Sequence, residues 1–245
     1  MISFVGAGPG APDLITLRGA ARLAAAEVVV WASSLVPEAV LDHAPPGATV
    51  HDSATMTLED VLAVYEATPD AAIVRLHSGD PTLYGAVQEQ IAWCLEHERS
   101  WEIVPGVSSV AAAAAAASVP ARESVAGYAA LGATLAVFLS AARPAELQSE
   151  LLAPGSAFTA ETPAVIVIRA SWPDERVIPT TVGGLAAALS SSGATMTVLV
   201  LVGEVLRSAT PAARSHLYAP GYAHSYRMRS TAGSTTGRPA SRPPR

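Results

Sequence analysis

Ile2-Ser3-Phe4-Val5-Gly6-Ala7-Gly8-Pro9-Gly10-Ala11-Pro12-Asp13 is the stretch on which the reading of the fold turns. A short apolar run that breaks at once into glycine and proline reads as a first strand entering a tight loop. It has neither the basic start nor the long apolar core of a signal peptide. Outward from it the same design returns, with apolar runs at Val28–Trp31, Ala72–Leu76 and Trp101–Val104. Between them lie helical stretches: Thr16 is a good N-cap for a helix through Ala26, Thr57 for one through Ala67, and Gly85–Glu98 carries Val87, Ile91 and Leu95 at helical spacing. An alanine helix at Ser109–Ala117 ends near Val119 and Pro120, after which strands restart at Thr134–Leu139, Val165–Arg169 and Thr197–Val202. The alternation predicts an α/β protein of two domains, residues 1–119 and 120–206, with mainly parallel sheets. Residues 229–245 are Ser, Thr, Gly, Ala, Pro and Arg without apolar periodicity and are expected to be disordered.

Composition removes several classes of chemistry. The 245 residues include 15 Arg and no Lys, which excludes a P-loop lysine and a lysine Schiff base to pyridoxal phosphate. The formal net charge of −6 averages two unlike parts: residues 1–206 hold 8 Arg against 21 acidic residues, a net of −13, and residues 207–245 hold 7 Arg and no acid. Cys94 is the single cysteine, so there is no internal disulfide, and a cytoplasmic setting is expected. The six histidines show no paired-ligand spacing and no G-x-S-x-G elbow is present, which disfavours a metal site and a hydrolase. The charge-free stretch Ile103–Ala121 is interrupted by Pro105, Gly106 and Pro120 and is mostly alanine, so no membrane span is expected. The tail arginines lack interleaved aromatic residues, and no nucleic-acid partner is expected.

The glycine loop allows a sharper test. Gly6, Gly8 and Ala11 satisfy the dinucleotide spacing G-x-G-x-x-G/A, which makes a nicotinamide or flavin oxidoreductase the runner-up reading. Two features oppose it. Pro9 and Pro12 lack the N–H groups a pyrophosphate needs, and the best N-cap, Thr16, comes only after them. A ribose-binding acid should follow the second strand, but Ala32, Ser33 and Ser34 stand there and the nearest acid, Glu27, precedes it. The loop suits a ligand without phosphates.

A second segment, His77-Ser78-Gly79-Asp80-Pro81-Thr82-Leu83-Tyr84-Gly85, again follows an apolar strand, where open α/β sheets bind ligands. Asp80 is suited to a cationic or hydroxyl-bearing ligand, or equally to capping a helix that begins near Gly85. His77 is a candidate base by its ordinary pKa, or a satisfied strand-end histidine. A third segment, Pro105-Gly106-Val107-Ser108-Ser109, repeats the strand, turn and helix design with two hydroxyls.

Together these residues resemble the tetrapyrrole (corrin and porphyrin) methyltransferases. Val5–Gly10 followed by Leu14, Thr16 and Leu17 is similar to that family's opening, and His77–Gly85 and Val104–Ser109 to its second and third signatures. Ser34–Pro37, Arg169–Glu175 and Arg214–Tyr218 look like one branch of it, which makes residues 207–228 a family-like C-terminal extension. The resemblance implies a homodimer of two α/β domains that uses S-adenosylmethionine, held in the cleft between the domains, to methylate a tetrapyrrole, with no protein-bound metal. It implies donor contacts at Pro9, Ser78, Gly79, Asp80, Leu83, Ser108, Ser109, Leu139 and Ala170. His77 and Asp80 are the candidate catalytic residues. Arg75, Arg122 and Arg169 are candidate anchors for the substrate's carboxylates, or else surface ion pairs. One departure stands out: Pro120-Ala121-Arg122-Glu123 runs almost directly into Ser124-Val125-Ala126-Gly127-Tyr128, where the family has a further strand and loop. The second domain is expected to be shortened and to carry an open edge, which leaves a non-catalytic binder as the alternative reading.

Overall fold

The computed structural model describes residues 1–83, 85–117, 125–138 and 142–207, and the chain divides into two compact units at Pro120. In the first unit, strands β1 (Ile2–Gly6), β2 (Val28–Trp31), β3 (Thr49–Asp52), β4 (Ile73–His77) and β5 (Trp101–Val104) form one sheet in the order β3-β2-β4-β1-β5. Every pairing in it is parallel. Helices α1 (Leu17–Ala24), α2 (Leu58–Ala67), α3 (Gln88–Glu96) and α4 (Ser109–Ala117) lie between the strands in sequence. Their starts are written locally. Thr16 Oγ1 accepts from the Gly19 N–H at 3.1 Å, and Thr57 with Asp60 forms a reciprocal capping box on α2.

Strands β1, β2 and β4 are buried along their whole length, as both-faced burial of a parallel sheet requires. One face packs Val5, Val29, Val74, Leu76 and Val104 with Leu23 of α1 and with Val36 and Val40 of the segment after β2. The other packs Ile2, Phe4, Val28, Val30 and Ile73 with Val61 and Tyr65 of α2 and Cys94 of α3. Because β1 lies between β4 and β5, loops that are distant in sequence leave the sheet side by side at its carboxyl end.

The second unit corrects the expectation of mainly parallel sheets. Strands β6 (Leu135–Phe138), β7 (Pro163–Ile168), β8 (Arg176–Thr181) and β9 (Val198–Val202) form a sheet in the order β6-β9-β7-β8 in which every pairing is antiparallel. The cause is the connection from β7 to β8. Arg169–Glu175 is too short for a crossover helix, so the chain must fold straight back. Helices α5 (Val125–Ala129), α6 (Pro144–Leu151) and α7 (Leu185–Ser192) supply Ala129, Leu147, Leu151, Leu185 and Leu189 to one core with Val137, Ala164, Ile166, Ile168, Val198, Val200 and Val202. Gly193, at φ +68°, ends α7 in the left-handed conformation that favours glycine. No helix among the described residues is long and apolar enough to cross a membrane.

Candidate functional site at the glycine loops

Three loops meet at the carboxyl end of the first sheet, and glycine is what lets them meet. A Cβ on Gly6 would lie 2.5 Å from Gly106 Cα and 2.6 Å from Gly79 O, and one on Gly106 would lie 2.7 Å from Gly6 Cα and closer still to Gly79 O. Each of these neighbours is backbone, so nothing at the joint can swing aside. Gly79 at φ +64° and Gly8 at φ +81° adopt the left-handed conformation, and the two form a bridge in which Gly79 N–H donates to Gly8 O at 2.8 Å and Gly8 N–H donates to Gly79 O at 3.3 Å. Ala7 N–H donates to His77 O at 2.8 Å. The first N–H groups of the glycine loop are therefore already occupied by the β4 loop, and α1 begins only at Leu17, beyond a turn of 3-10 helix at Pro12–Leu14. A pyrophosphate at this turn would find the Ala7 and Gly8 N–H groups already taken and none on Pro9. The geometry counts against a dinucleotide and fits a ligand approached by backbone without phosphate contacts.

Side chains complete the joint. Asp80 Oδ2 accepts from the Gly106 N–H at 2.9 Å, tying the β4 loop to the β5 loop. Its Oδ1 accepts from the Thr82 N–H at 2.7 Å and from the Thr82 hydroxyl. Thr16 Oγ1 donates to Pro105 O at 3.3 Å, tying the glycine loop to the β5 loop. Asp80 thus acts as a staple between loops, with both carboxylate oxygens engaged. Its cap is on its own turn and not on the helix downstream, since α3 begins only at Gln88. Sequence reasoning placed Gly106, Thr16 and Thr82 in their motifs but gave them no part in this joint. The signal for Thr82 was the Asp-Pro-Thr spacing of an Asx turn, whereas the Gly106 and Thr16 contacts are long-range and have no local signature.

The other candidate residues fall in different places. Pro9, Ser78 and Asp80 are half-buried and Gly79 is buried, all within this joint. Leu83 lies 51 % exposed on the β4 loop. Ser108 precedes α4, and its Oγ accepts from the Val110 N–H at 3.1 Å as an N-cap does, with exposed Ser109 as the first helical residue. Leu139 and Arg122 lie outside the described residues. Ala170 is exposed in the second unit, on the turn between β7 and β8, where Arg169 (φ +52°) and Ser171 (φ +65°) are left-handed. That turn is held by an ion pair of Arg169 with Asp174, by Ser171 N–H donating to Glu175, and by the Arg169 guanidinium 5.4 Å from the Trp172 ring centroid.

His77 and Arg75 alternate with Val74 and Leu76 along β4 and so share the Ile73 face, which is covered by α2 and α3. His77 is buried beside Phe4, at a ring separation of 6.2 Å, and its Nε2 has no hydrogen-bond partner. Burial, with the Arg75 charge second, holds its pKa well below the ordinary histidine value, so it is neutral at pH 7 and a weak base. Arg75, read as a substrate anchor, is instead 8 % exposed, and its Nη1 donates to Val30 O, Ser53 Oγ and Leu76 O at 3.2, 2.9 and 3.3 Å. Its guanidinium braces the sheet interior, which corrects that expectation. Among the described residues no group of three or more His, Cys, Asp or Glu could hold a metal ion.

The comparisons with known proteins converge. A family model described as Tetrapyrrole (Corrin/Porphyrin) Methylases matches residues 1–186. A cobalt-precorrin-4 C(11)-methyltransferase of Methanocaldococcus jannaschii is 34% identical over 250 aligned residues, covering 92% of this chain and 95% of that one. A precorrin-4 C(11)-methyltransferase of Mycobacterium tuberculosis is 37% identical over 233, covering 84% and 91%. The crystal structure of a cobalt precorrin-4 methyltransferase, a cobalamin biosynthetic enzyme, matches at 35% identity with a TM-score of 0.47, covering 84% of this chain and 95% of that one. With a matched family model over most of its length and relatives of this identity and coverage, the chain belongs to the tetrapyrrole (corrin/porphyrin) methylases.

Proposed function

We propose that this protein is an S-adenosylmethionine-dependent C-methyltransferase of cobalamin biosynthesis that methylates carbon 11 of precorrin-4, or of its cobalt form, to give precorrin-5. The observation that carries this reading is the agreement of relatives at 34–37% identity that bear the precorrin-4 or cobalt-precorrin-4 C(11)-methyltransferase name, against 30% for a uroporphyrinogen-III C-methyltransferase. The site is in keeping with it: the Ala7 and Gly8 N–H groups of the glycine loop are already taken and Pro9 has none, which suits a sulfonium donor that has no phosphate.

The donor supplies an electrophilic methyl group to a nucleophilic ring carbon. What this chain contributes is position. Holding the two reactants at near-attack distance is worth about 7–11 kcal/mol, more than a single base adds. Asp80 and the three glycines fix the loops that form the donor's floor, and neutral His77 stands behind them as a buried strut. Exposed apolar side chains stand at the starts of α1 and α4 and on the loops after β2 and β4: Leu17 is 92 %, Val110 72 %, Leu35 66 % and Leu83 51 % exposed. Such side chains suit a large, flat, partly apolar macrocycle. Arg122 and Arg169 remain the proposed anchors for its carboxylates, working against the net −13 of residues 1–206. We further read the chain as a cytoplasmic homodimer, with the buried lone Cys94 in keeping with a reducing setting.

Titration calorimetry with S-adenosylmethionine and its demethylated product, followed by mass spectrometry of precorrin-4 and cobalt-precorrin-4 turnover, tests the assignment. A gain of one methyl group on the macrocycle is expected. Donor binding without turnover would replace the enzyme with a non-catalytic binder, and binding of neither would overturn the reading of the site.

A further inference from the structure

The glycine joint fixes where the β4 loop leaves the sheet, and a separate set of contacts fixes where it turns back into α3. That helix starts at Gln88 with no capping side chain among the described residues, so the usual local device for setting a helix entry is missing. In its place stands Ala86, held at φ +49° in the left-handed region that a Cβ disfavours. Such a conformation persists only where the surroundings impose it. Here two side chains do so. Gln90 Nε2 donates to Ala86 O at 3.2 Å, and Gln90 Oε1 accepts from the Tyr65 hydroxyl at 2.6 Å. Both residues are fully buried, Gln90 on α3 and Tyr65 on α2. The order of atoms is forced: the Ala86 carbonyl can only accept, so Nε2 must face it, and the Tyr65 hydroxyl donates to the amide oxygen on the other side.

The hold on Ala86 reaches the site in two short steps. Gly85 packs so closely on Pro81 that a Cβ there would run into the Pro81 carbonyl oxygen, and the His77 ring is hydrogen-bonded to the Gly85 backbone. Pro81 directly follows Asp80, whose carboxylate ties this loop to Gly106. Exposed Thr82 and Leu83 therefore ride on a loop clamped at Asp80 on one side and at Gly85 and Ala86 on the other. We infer that Gln90, oriented by Tyr65, is a positioning residue for methyl transfer: from a buried place on α3 it holds Ala86 left-handed and so sets the Asp80–Leu83 segment against the donor. This rests on the donor site proposed above and adds to it a pair of residues from the helix layer beneath the loop.

Titration calorimetry with S-adenosylmethionine, on variants shown to be folded by circular dichroism, tests it. Gln90→Met keeps the length of the side chain, removes both hydrogen bonds and should raise the donor Kd at least tenfold. Tyr65→Phe removes only the hydroxyl that orients the amide and should raise the Kd at least threefold; it carries the test if Gln90→Met fails to fold. Adding Ala86→Gly to either variant should recover most of the loss, because glycine takes the left-handed conformation unaided. A role in stability alone would not respond to that glycine. It would also make both variants behave like Thr57→Ala, which weakens α2 at its start and should leave the Kd unchanged. Variants that bind the donor as the wild type does, or losses that Ala86→Gly leaves in place, overturn the inference and leave the donor site standing. A wild type that binds no S-adenosylmethionine overturns the donor site and this inference with it.

Discussion

Replacing Asp80 by alanine removes the acceptor of three donors, and the structure indicates how the loss divides. Thr82 N–H and its hydroxyl are exposed, so water replaces the carboxylate there at little cost. The Gly106 N–H at 2.9 Å is part-buried in the glycine joint and loses a charge-assisted hydrogen bond. Such bonds are worth about 1.5–3 kcal/mol, and half-burial places this one near the lower figure. For a unit of this size that is a fall in Tm of roughly 4–8 °C. The staple also fixes the spacing of two loops that we propose face the donor, so the Kd for S-adenosylmethionine should rise at least tenfold, equivalent to about 1.4 kcal/mol. Asp80→Asn keeps one carbonyl acceptor and should lose about half as much, whereas Asp42→Ala, an exposed acid distant in sequence from all three loops, should lose neither. Differential scanning calorimetry and titration calorimetry on the same preparations give both readouts. An Asp80→Ala protein that melts within about 1 °C of the wild type and binds the donor equally well would refute the staple.

Gly106→Ala drives a methyl group into the backbone of Gly6 and Gly79 and should cost about 1–3 kcal/mol or more by chemical denaturation, whereas Gly10→Ala meets only open space and should cost about 1 kcal/mol through its backbone angle. His77 has a folded pKa depressed by burial; the stability it contributes is complete above its unfolded value of about 6.5 and is lost as the pH falls from there through the folded value. The drop in stability between pH 7 and pH 5, followed by denaturant midpoints, should therefore be smaller in His77→Gln. Burial raises the Cys94 thiol to about 11, so a thiol reagent at pH 8 should label it only as fast as the protein opens, with the rate rising in denaturant. Thr57→Ala breaks the capping box of α2 and should lower stability by about 1 kcal/mol in the same denaturation assay.

Much of this architecture is legible in the sequence because buried strands and capped helices announce themselves. Val28–Trp31 is a continuous apolar run because both of its faces are covered, and Thr16 and Thr57 stand where their helices start. Two strands escaped notice for the converse reason. β3, Thr49-Val50-His51-Asp52, is an exposed edge with one large apolar residue, so it has no pattern to show. β8 contains Pro179, which within a strand is tolerated only at an edge, and β8 is an edge. Missing β8 hid the short return from β7, and with it the antiparallel character of the second sheet. At the site, the glycines were visible as a motif, but what they accommodate was not. The neighbours of Gly6 are Gly79 and Gly106, and only strand order brings those together. Arg75 misled because an arginine within a strand reads the same whether it faces solvent or the sheet interior.

The placement of β1 between β4 and β5 has a consequence for how the molecule is made. Its hydrogen-bonding edges belong to residues 73–77 on one side and 101–104 on the other, so β1, once synthesised, waits through some seventy residues of synthesis for one neighbour and about a hundred for the second. Apart from the Asp80–Thr82 turn, the glycine joint is tied by contacts distant in sequence, and its closure is set by the slow step of non-local parallel pairing. On the proposed reading of the site, affinity for the donor therefore arrives late and all together. Ligand capture by a nascent or refolding chain would report that the whole first sheet has closed, and a mutation anywhere along β4 or β5 that delays pairing would lower the yield of binding-competent protein without touching a residue of the site.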